Sequence, residues 1–254
     1  MGLAVERKNS ILEKLTRDKT VVVSQLAAEY AVSEETIRRD LDKLEREGFA
    51  KKSYGGAILV ENNDLDMPFL LRQKKNMEGK RVIAQILSDY IKDGEHIFID
   101  PSSTGVSILK ACEGKKNLTV ITNSVEVLLE MSNAEDMEII STGGKLVPAY
   151  LALVGPKCIS SIESFHADKV ILSCKGIDMA GGITDANELF SQVKQTMLKC
   201  ASEKILAVDS TKFDIVAFSQ ICGIVDIDMI VTDVKPSDAW LQYFTDKGIA
   251  CIYG

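Results

Sequence analysis

The segment Val32–Glu45 constrains the fold of this chain most, because it combines a helix cap, an apolar stripe and an exposed cationic face. Ser33 is a good N-cap residue, since its hydroxyl can accept a hydrogen bond from an N–H group of the first helical turn. Positions i, i+4 and i+7 predict one buried face, formed by Ile37, Leu41 and Leu44. The pattern predicts a short amphipathic helix held on a core.

The opposite face of this predicted helix is polar and cationic. On a wheel of about 100° per residue, four side chains fall near the pole opposite the stripe: Thr36, Arg39, Lys43 and Arg46. Donors and cations on an exposed helix favour insertion into the major groove of DNA. Mixed charge also has a simpler explanation, because Arg38 and Asp42 at i, i+4 can form an ordinary surface ion pair. The neighbouring segments decide between these interpretations.

Two further helices are predicted before this segment. Gln25–Tyr30 follows Ser24, another candidate N-cap, and Ala31–Val32 makes a tight connection to the next cap. An earlier helix, from about Val5 to Arg17, presents apolar side chains to the same small core. Two short helices joined by a few residues, the second carrying exposed cations, form the helix-turn-helix pattern.

A wing is predicted after the cationic helix. Gly48 has the position of a C′ residue in the left-handed conformation. Residues 49–58 then have the pattern of a short basic strand, a Gly-Gly turn and a return strand, whose cations and tyrosine we expect near DNA phosphates. Cap, stripe, turn and wing in this order favour DNA binding over a solvated surface helix. The predicted DNA-binding residues are Ser33, Thr36, Arg38, Arg39, Lys43, Lys51, Lys52 and Tyr54.

These residues resemble the winged helix-turn-helix of the deoxyribose-operon repressor family of bacterial transcription regulators. The match runs in register through Arg7–Leu12, Leu26–Ala27, Val32–Ser33, Thr36–Leu41, Leu44–Glu45, Gly48 and Tyr54–Ala57. The resemblance implies a transcriptional repressor of a sugar-utilisation operon, with double-stranded operator DNA as its partner. Because two-fold operators match two-fold proteins, a homodimer or a homotetramer is expected.

Charge is divided unevenly along the chain. The 254 residues carry a net charge of −7, which is unusual for a DNA-binding protein. Residues 1–60 hold 11 Lys/Arg and 10 Asp/Glu, whereas the remainder holds 19 and 27. This division suits a local DNA footprint on an otherwise acidic body. Affinity for DNA must therefore come from the placement of the cations rather than from bulk charge.

Composition and motifs exclude several other classes. The six cysteines form no C-x-x-C pair and the chain has two histidines, so we expect no metal site and no cofactor. The sequence shows neither a signal h-region nor an apolar run long enough to span a bilayer. We expect a cytoplasmic protein with free thiols and no membrane partner.

Three parts are predicted along the chain: a DNA-binding domain over 1–60, a linker over 61–75 and an effector-binding domain over 76–254. From Met77 onward, helical segments alternate with short β-branched runs, which end near Asp100, Asn123, Thr142, Ser173, Asp209 and Asp233. Repeated β-then-α order predicts right-handed crossovers and a mainly parallel sheet covered on both faces. The predicted fold class is α/β, preceded by an N-terminal winged helix-turn-helix.

Polar residues cluster where these strands end, and ligands bind at the carboxyl ends of strands in such sheets. A Ser-Ser-Thr-Gly segment between a strand and a helix offers hydroxyl and N–H groups to an anion. Polar loops are ordinary at strand ends, but five of them at one sheet edge favour a binding site. The predicted effector-binding residues are Asp100, Ser102, Ser103, Thr104, Asn123, Ser124, Gly143, Gly144, Lys145, Lys175 and Lys212.

The second part also resembles the deoxyribose-operon repressor family, in its sugar-phosphate-sensing domain. The matching segments are Asp100–Thr104, Thr122–Ser124, Gly143–Gly144, Gly155, Gly176–Asp178, Gly182–Thr184, Asp209–Phe213 and Asp233. The resemblance implies a phosphorylated sugar as the effector, which releases the repressor from DNA. That domain is similar in fold to ribose 5-phosphate isomerase. A sugar-phosphate isomerase-like enzyme fused to a DNA-binding domain is therefore the alternative.

Departures from the isomerase pattern argue against an enzyme. Where the isomerase has an Ala-Asp-Glu step and an Arg-Glu-Lys step, this chain has Cys174–Gly176 and Lys194–Thr196. Isomerisation needs a base to remove a proton next to the carbonyl, so we expect no catalysis. The chain also departs from the pattern of the repressor family that it resembles, because Pro101 replaces the usual Gly and Lys175 the usual Asp. Proline stiffens the loop, and the lysine leaves the identity of the ligand open.

Overall fold

A computed structural model of the protein describes residues 2–46, 49–59 and 69–254. The chain forms two compact units, Met1–Arg72 and Gln73–Gly254. Gly48, predicted as a C′ residue, and residues 61–68 of the predicted linker lie outside the described residues.

The first unit is a winged helix-turn-helix. Its elements are α1 (Gly2–Asp18), β1 (Thr20–Val22), α2 (Val23–Glu29), α3 (Glu34–Arg46), β2 (Ala50–Ser53) and β3 (Gly56–Leu59), followed by α4 (Phe69–Lys74). The predicted helices and both wing strands are present. The apolar stripes of α1, α2 and α3 meet in one core, in which seven side chains of these helices are at most 1% exposed: Ile11, Leu12, Leu15, Leu26, Ile37, Leu41 and Leu44. Each such burial stabilises the fold by about 1.5–3 kcal/mol.

Strand β1 was not predicted, and it changes how the second helix begins. It pairs antiparallel with β3, with Val21 opposite Ala57, and runs directly into α2. The N-cap of α2 is therefore Val22, which makes no side-chain capping bond, and the prediction of Ser24 as the cap is wrong. A Cβ at Gly56 would lie 1.9 Å from the Val21 carbonyl oxygen, so this close pairing requires glycine.

The second unit is an α/β domain. Its helices are α5 (Met77–Tyr90), α6 (Ser103–Ala111), α7 (Val125–Glu130), α8 (Pro156–Glu163), α9 (Glu188–Lys199) and α10 (Asp238–Lys247). Its strands are β4 (His96–Ile99), β5 (Leu118–Thr122), β6 (Met137–Ser141), β7 (Lys145–Val147), β8 (Ala152–Val154), β9 (Ala167–Leu172), β10 (Gly176–Asp178), β11 (Gly182–Asp185), β12 (Ala201–Ala207), β13 (Ser219–Cys222), β14 (Met229–Thr232) and β15 (Ala250–Tyr253).

A parallel sheet of seven strands lies at the centre, in the order β15-β14-β12-β9-β4-β5-β6. The prediction of a mainly parallel sheet is confirmed. From β4 the chain continues to β5 and then β6 on one side of β4. It then places β9, β12, β14 and β15 in turn on the other side. The strand order therefore reverses between β4 and β9, and such a switch point opens a crevice beyond the strand ends.

Apolar helix faces cover the sheet. Side chains of α8, α9 and α10 pack on strand residues in one cluster, which includes Ile162, Val193, Trp240, Phe98, Val170, Leu206 and Ile230. Two antiparallel additions were not predicted, the β7–β8 hairpin and the small sheet β10-β11-β13. The hairpin follows β6 at one edge of the parallel sheet, whereas β10 and β11 follow β9 and bring Asp185 to the site described below.

Candidate DNA-binding surface and ligand site

Helix α3 presents the candidate DNA-binding face. The Ser33 hydroxyl accepts a hydrogen bond from the Thr36 N–H at 3.3 Å, so the predicted N-cap is confirmed. The side chains of Arg38, Arg39 and Lys43 are all more than half exposed. The cap and the buried stripe together direct these cations outward.

Acidic side chains of the same helix contact these cations. Arg38 Nη2 lies 2.6 Å from Glu34 Oε2, and Arg39 Nε lies 3.4 Å from Glu35 Oε1. Arg38 thus pairs with Glu34 rather than with Asp42, the partner that the spacing suggested. Exposed pairs of this kind contribute about 0.2–1 kcal/mol, so a DNA phosphate or base can compete for each arginine.

The wing is fastened to α3 through Lys52. Its Nζ lies 2.5 Å from Asp42 Oδ1 and 3.4 Å from Glu45 Oε2. Its backbone N–H also donates to Glu45 Oε1 at 2.9 Å. Tyr54 is fully exposed at the tip of the wing, and Lys51 is exposed on the strand. The two lysines alternate along a strand, so their side chains point to opposite faces of it.

Asp40 is a structural residue that the sequence reasoning missed. Although it lies in the cationic helix, it is 2% exposed and accepts a hydrogen bond from Arg7 Nε of α1 at 2.7 Å. This ion pair ties α3 to α1. Its position one residue before Leu41, at the border of the apolar stripe, was the available signal.

The candidate ligand site lies at the switch point of the parallel sheet. Asp100 follows β4 and Ser173 follows β9, and the Ser173 N–H donates to Asp100 Oδ2 at 3.1 Å. Lys194 of α9 places its Nζ 2.9 Å from Asp100 Oδ2, 2.5 Å from Asp185 Oδ2 and 2.7 Å from the Ser173 carbonyl oxygen. We call these four residues the Lys194 cluster. All four are buried.

The electrostatics of the Lys194 cluster follow from its pairing. Burial alone would lower the pKa of Lys194, but the charges of Asp185 and Asp100 outweigh burial and raise it above its usual value. Burial alone would raise the pKa of Asp185, but the Lys194 ammonium holds it below its usual value. Because an ammonium has three donors, Lys194 is saturated by its three oxygen partners. Its effect is to neutralise and orient the two carboxylates.

Two predicted lysines lie near this cluster. Lys175 contributes to the electrostatic field at Asp185, and its Nζ lies 5.6 Å from the centre of the Tyr150 ring. Lys212 contributes to the field at Cys174, whose pKa burial raises to about 12. The charges of Lys194 and Asp185 also influence the pKa of the Cys174 thiol, which Lys194 lowers and Asp185 raises. The charges of Lys175 and Lys212 thus act on residues of the Lys194 cluster or beside it.

The Ser-Ser-Thr segment forms the start of α6. The Ser102 hydroxyl caps the helix by accepting a hydrogen bond from the Gly105 N–H at 2.9 Å, so it is already engaged. Ser103 and Thr104 are buried in the first turn, where backbone N–H groups have no partner within the helix. These N–H groups can take an anion at the positive end of the helix dipole.

Asn123 and Ser124 fix the end of β5. Asn123 Nδ2 donates to the Leu153 carbonyl oxygen at 2.8 Å, and Ser124 Oγ caps α7 through the Val127 N–H. Two side-chain oxygens at the carboxyl ends of β4 and β5, Asp100 Oδ1 and Asn123 Oδ1, are buried and have no hydrogen-bond partner among the described residues. Since β4 and β5 are adjacent, these acceptors belong to neighbouring strand ends.

Gly143, Gly144 and Lys145 take part in a different environment. Gly143 and Gly144 have φ angles of 64° and 122°, which favour glycine. Gly144 and Lys145 line a cavity of about 330 Å³ together with Val154, Gly155, Pro156, Lys157 and Leu189. No member of the Lys194 cluster lines this cavity.

Three residues of the site were not predicted: Lys194, Asp185 and Tyr150. Lys194 had a usable signal, because it stands at i+4 from Phe190 on a helix face that continues to Met197, where an apolar residue is expected. Gln195, which stands at the presumed acid position, is half-buried and donates to the Gln220 carbonyl oxygen. It is therefore the neighbouring lysine that faces the site.

The described part of the chain contains no cluster of three or more side chains suited to hold a metal ion. None of its helices combines the length and apolar character needed to cross a membrane. All six cysteines are free thiols.

A winged helix-turn-helix followed by an α/β domain with a charged site at its switch point defines a DNA-binding regulator with a ligand-sensing domain. Family models agree with this description, since a DeoR-like helix-turn-helix domain matches residues 7–63 and a DeoR C-terminal sensor domain matches residues 75–234. The chain belongs to the DeoR family of transcriptional regulators, and its resemblance to that family is confirmed.

Curated relatives match over nearly their whole length. An uncharacterized HTH-type transcriptional regulator, YulB of Bacillus subtilis, is 36% identical over 97% of this chain and 95% of its own. The HTH-type transcriptional repressor GlcR of the same bacterium is 32% identical over 96% and 94%. The L-fucose operon activator of Escherichia coli is 31% identical over 90% and 95%. Ribose 5-phosphate isomerase A of Neisseria gonorrhoeae superposes with a TM-score of 0.40 and 15% identity, over 53% of this chain and 52% of that one.

Proposed function

We propose that this protein is a cytoplasmic repressor of a sugar-utilisation operon, which a phosphorylated sugar releases from operator DNA. It acts as a homodimer or homotetramer, with residues 1–60 as the DNA-binding domain, 61–75 as the linker and 76–254 as the effector-binding domain. The observation that carries the proposal is the Lys194 cluster at the switch point. It holds Asp100 in place while leaving one oxygen of that carboxylate without a partner.

The unpaired acceptors support a ligand with hydroxyl groups. A buried acceptor without a donor costs about 1–3 kcal/mol, and a bound hydroxyl removes that cost. Asp100 Oδ1 and Asn123 Oδ1 are such acceptors at adjacent strand ends. Neighbouring strands lie about 4.8 Å apart, a spacing that two hydroxyls of one sugar can span.

The same edge of the sheet suits a phosphate. The first-turn N–H groups of Ser103 and Thr104 point along the axis of α6, and the charges of Lys175 and Lys212 lie near the cluster. Backbone N–H groups at a helix start with nearby cations form a common phosphate site. We infer that the phosphate occupies the start of α6 and that the sugar hydroxyls contact Asp100 and Asn123.

Catalysis is less well supported than binding. A general base works best with a pKa near the operating pH. The Lys194 ammonium lowers the pKa of Asp185, which moves it further from neutral pH. Asp100 is paired with the same ammonium. The names of the matched relatives also describe regulators. These observations favour a ligand that binds without being converted.

A thermal-denaturation panel tests the proposal. Ribose 5-phosphate, glucose 6-phosphate and fructose 1-phosphate are each compared with the unphosphorylated sugar and with inorganic phosphate. A ligand at 100 times its Kd stabilises the native state by about 2.7 kcal/mol. We expect one phosphorylated sugar to raise Tm by more than the unphosphorylated sugar does and by more than inorganic phosphate does. A shift that inorganic phosphate reproduces in full, or the absence of any shift, would contradict the proposal.

Repression is tested separately, because the matched relatives include both a repressor and an activator. A duplex selected from random sequence by the wild-type chain is placed at a reporter promoter. We expect expression to fall when the protein is present and to recover when the sugar phosphate accumulates. Expression that rises with the protein would identify an activator instead.

A further inference from the structure

We propose that Asp233 is a positioning residue that connects the Ser210–Lys212 turn to the start of helix α5. The turn carries Lys212, so the inference rests on the proposed function and concerns how occupancy of that site is communicated. The start of α5 is the relevant destination because the chain passes from the first unit to the second between Arg72 and Gln73, three residues before Asn76. Asp233 touches both ends of this connection.

The carboxylate of Asp233 is shared between the two segments. Oδ1 accepts the Ser210 N–H at 2.7 Å, and Oδ2 accepts the Ser210 hydroxyl at 3.3 Å. Oδ2 also accepts Asn76 Nδ2 at 3.1 Å, across 157 positions of sequence. Burial alone would raise the pKa of Asp233, but hydrogen bonds from Ser210 and Asn76 outweigh it and keep the pKa below its usual value. The charged carboxylate thus depends on both partners.

Asn76 has a constrained backbone and two functions. Its φ angle of 46° is in the left-handed region, and its Oδ1 caps α5 by accepting the Gly79 N–H at 3.3 Å. A Cβ at Gly79 would lie 2.4 Å from Asp233 Oδ2 and 2.6 Å from Asn76 Nδ2, so the three residues are in close contact. A shift of Asp233 is therefore transferred to the cap of α5.

The chain just before Asn76 is also attached to α5. The buried Lys80 ammonium donates to the carbonyl oxygen of Lys75. Leu71, four residues before Lys75, packs against the apolar core of the first unit. The cap of α5 is thus close in sequence to a side chain held by the DNA-binding unit.

The other end of the connection, the Ser210–Lys212 turn, is held by hydrogen bonds to Asp209. Within the Ser210–Lys212 turn, the Thr211 N–H donates to Asp209 Oδ1 at 3.0 Å, and the Lys212 N–H donates to the Asp209 carbonyl oxygen at 3.0 Å. A ligand that draws Lys212 toward its phosphate therefore also displaces Ser210. Asp233 then follows Ser210 or loses its donors, and in both cases the Asn76 contact changes.

Hydrogen exchange tests the connection without any ligand. The key variant is Asn76→Asp, which keeps an acceptor for the Gly79 N–H but replaces the amide donor to Asp233 by a carboxylate that repels it. We expect exchange of the Ser210 amide to accelerate at least about tenfold, because the repulsion adds to the loss of one hydrogen bond to a charged group. Ser237→Ala is the matched control, because it removes the N-cap of α10 and leaves Asp233 untouched. An unchanged Ser210 amide in Asn76→Asp, or equal acceleration in Ser237→Ala, would overturn the proposal.

The change in operator Kd on ligand binding distinguishes a positioning role of Asp233 from a purely structural role, because a structural role alone would leave that change as it is in the wild type. Binding of ribose 5-phosphate, glucose 6-phosphate and fructose 1-phosphate is measured for the wild type, Asn76→Asp and Ser237→Ala, together with operator affinity. We expect Asn76→Asp to bind its sugar phosphate within about twofold of the wild type, while the ligand-induced change in operator Kd falls about tenfold. A full operator response in Asn76→Asp would refute the connection. If none of the three compounds binds the wild type, the proposed function fails, and the exchange experiment still decides the role of Asp233.

Discussion

Lys194 is the residue on which the geometry of the candidate ligand site depends. Its ammonium is buried and joins Asp100, Asp185 and the Ser173 carbonyl oxygen. Removing one partner of a buried ion pair costs about 3–5 kcal/mol, because a charge remains without compensation. We expect Lys194→Met to lower the free energy of unfolding by this amount in urea denaturation. Lys199→Met, at an exposed lysine of the same helix, is the control and should change it by less than about 1 kcal/mol.

The pH dependence of stability follows from the same pairing. Asp185 has a lowered pKa in the folded state, so its contribution is present above the unfolded value of about 3.9 and is lost as pH falls through the folded value. Lys194 has a raised pKa, so its contribution is present below about 10.4 and is lost as pH rises through the folded value. The difference in unfolding free energy between the wild type and Lys194→Met should be largest near neutral pH and should narrow as pH falls toward about 4, because the unpaired buried carboxylates of the variant become protonated and the wild type loses its ion pair. A gap independent of pH down to about 3 would contradict this assignment.

Arg39 is the residue-scale test of the DNA-binding face. Its side chain is 73% exposed and meets Glu35 at 3.4 Å, so it is available to a base edge. A bidentate contact from arginine to guanine contributes about 1–3 kcal/mol of discrimination. Arg39→Ala should therefore reduce the preference for a selected operator over random duplex by about 5–150-fold in a competition assay. Arg81→Ala, which removes an equally exposed charge from α5, is the control. Unchanged preference in Arg39→Ala would mean that another face of α3 meets the bases.

Individual side chains differed in how far the sequence revealed them. Ser33 was recognisable as a cap because it precedes a periodic helix and has a suitable hydroxyl. Lys194 and Asp185 were missed because a buried ion pair depends on two segments that meet in space. The spacing within α9 marks position 194 as buried but does not identify the partner of its lysine. Ser24 had the right chemistry for a cap, but a neighbouring strand that pairs with the wing set the start of α2 instead.

At the scale of elements, the wing gives a prediction that separates two adjacent lysines. Lys52 is already paired with Asp42 and Glu45 of α3, whereas Lys51 is exposed on the opposite face of the strand. A lysine that contacts phosphate contributes about −0.9 to the slope of log K against log salt concentration. We expect Lys51→Ala to reduce the slope by about one and Lys52→Ala by less, because Lys52 must leave its carboxylates to bind phosphate. A larger effect from Lys52→Ala would contradict this order.

Element prediction succeeded where periodicity was local and long enough. Six strands of the parallel sheet follow from apolar runs that alternate with segments of helical spacing. Strand β1 has three residues and pairs with β3 across the intervening helices, so no local pattern announces it. The β7–β8 hairpin and the β10-β11-β13 sheet are similarly short. Strand β15 lies at one edge of the parallel sheet and has only four residues, too few for a recognisable sequence pattern.

At the scale of the whole molecule, ligand and DNA must oppose each other by the same factor. A sugar phosphate weakens operator binding if it binds the DNA-incompetent state more tightly. Thermodynamic linkage then requires operator DNA to weaken sugar-phosphate binding equally. This reciprocity does not depend on which contacts carry the coupling, so it tests the regulator as a whole.

Operator release in the wild type and in Lys212→Ala tests the central claim most directly. Operator Kd is measured with and without the sugar phosphate that stabilises the wild type, and ligand Kd is measured with and without operator. The account predicts release of the wild type with equal coupling in both directions. It also predicts that Lys212→Ala binds operator normally but requires at least about tenfold more ligand for release, because a charge-assisted contact is lost. Ligand binding that leaves operator affinity unchanged, or a Lys212→Ala variant that is released at the wild-type ligand concentration, would contradict it.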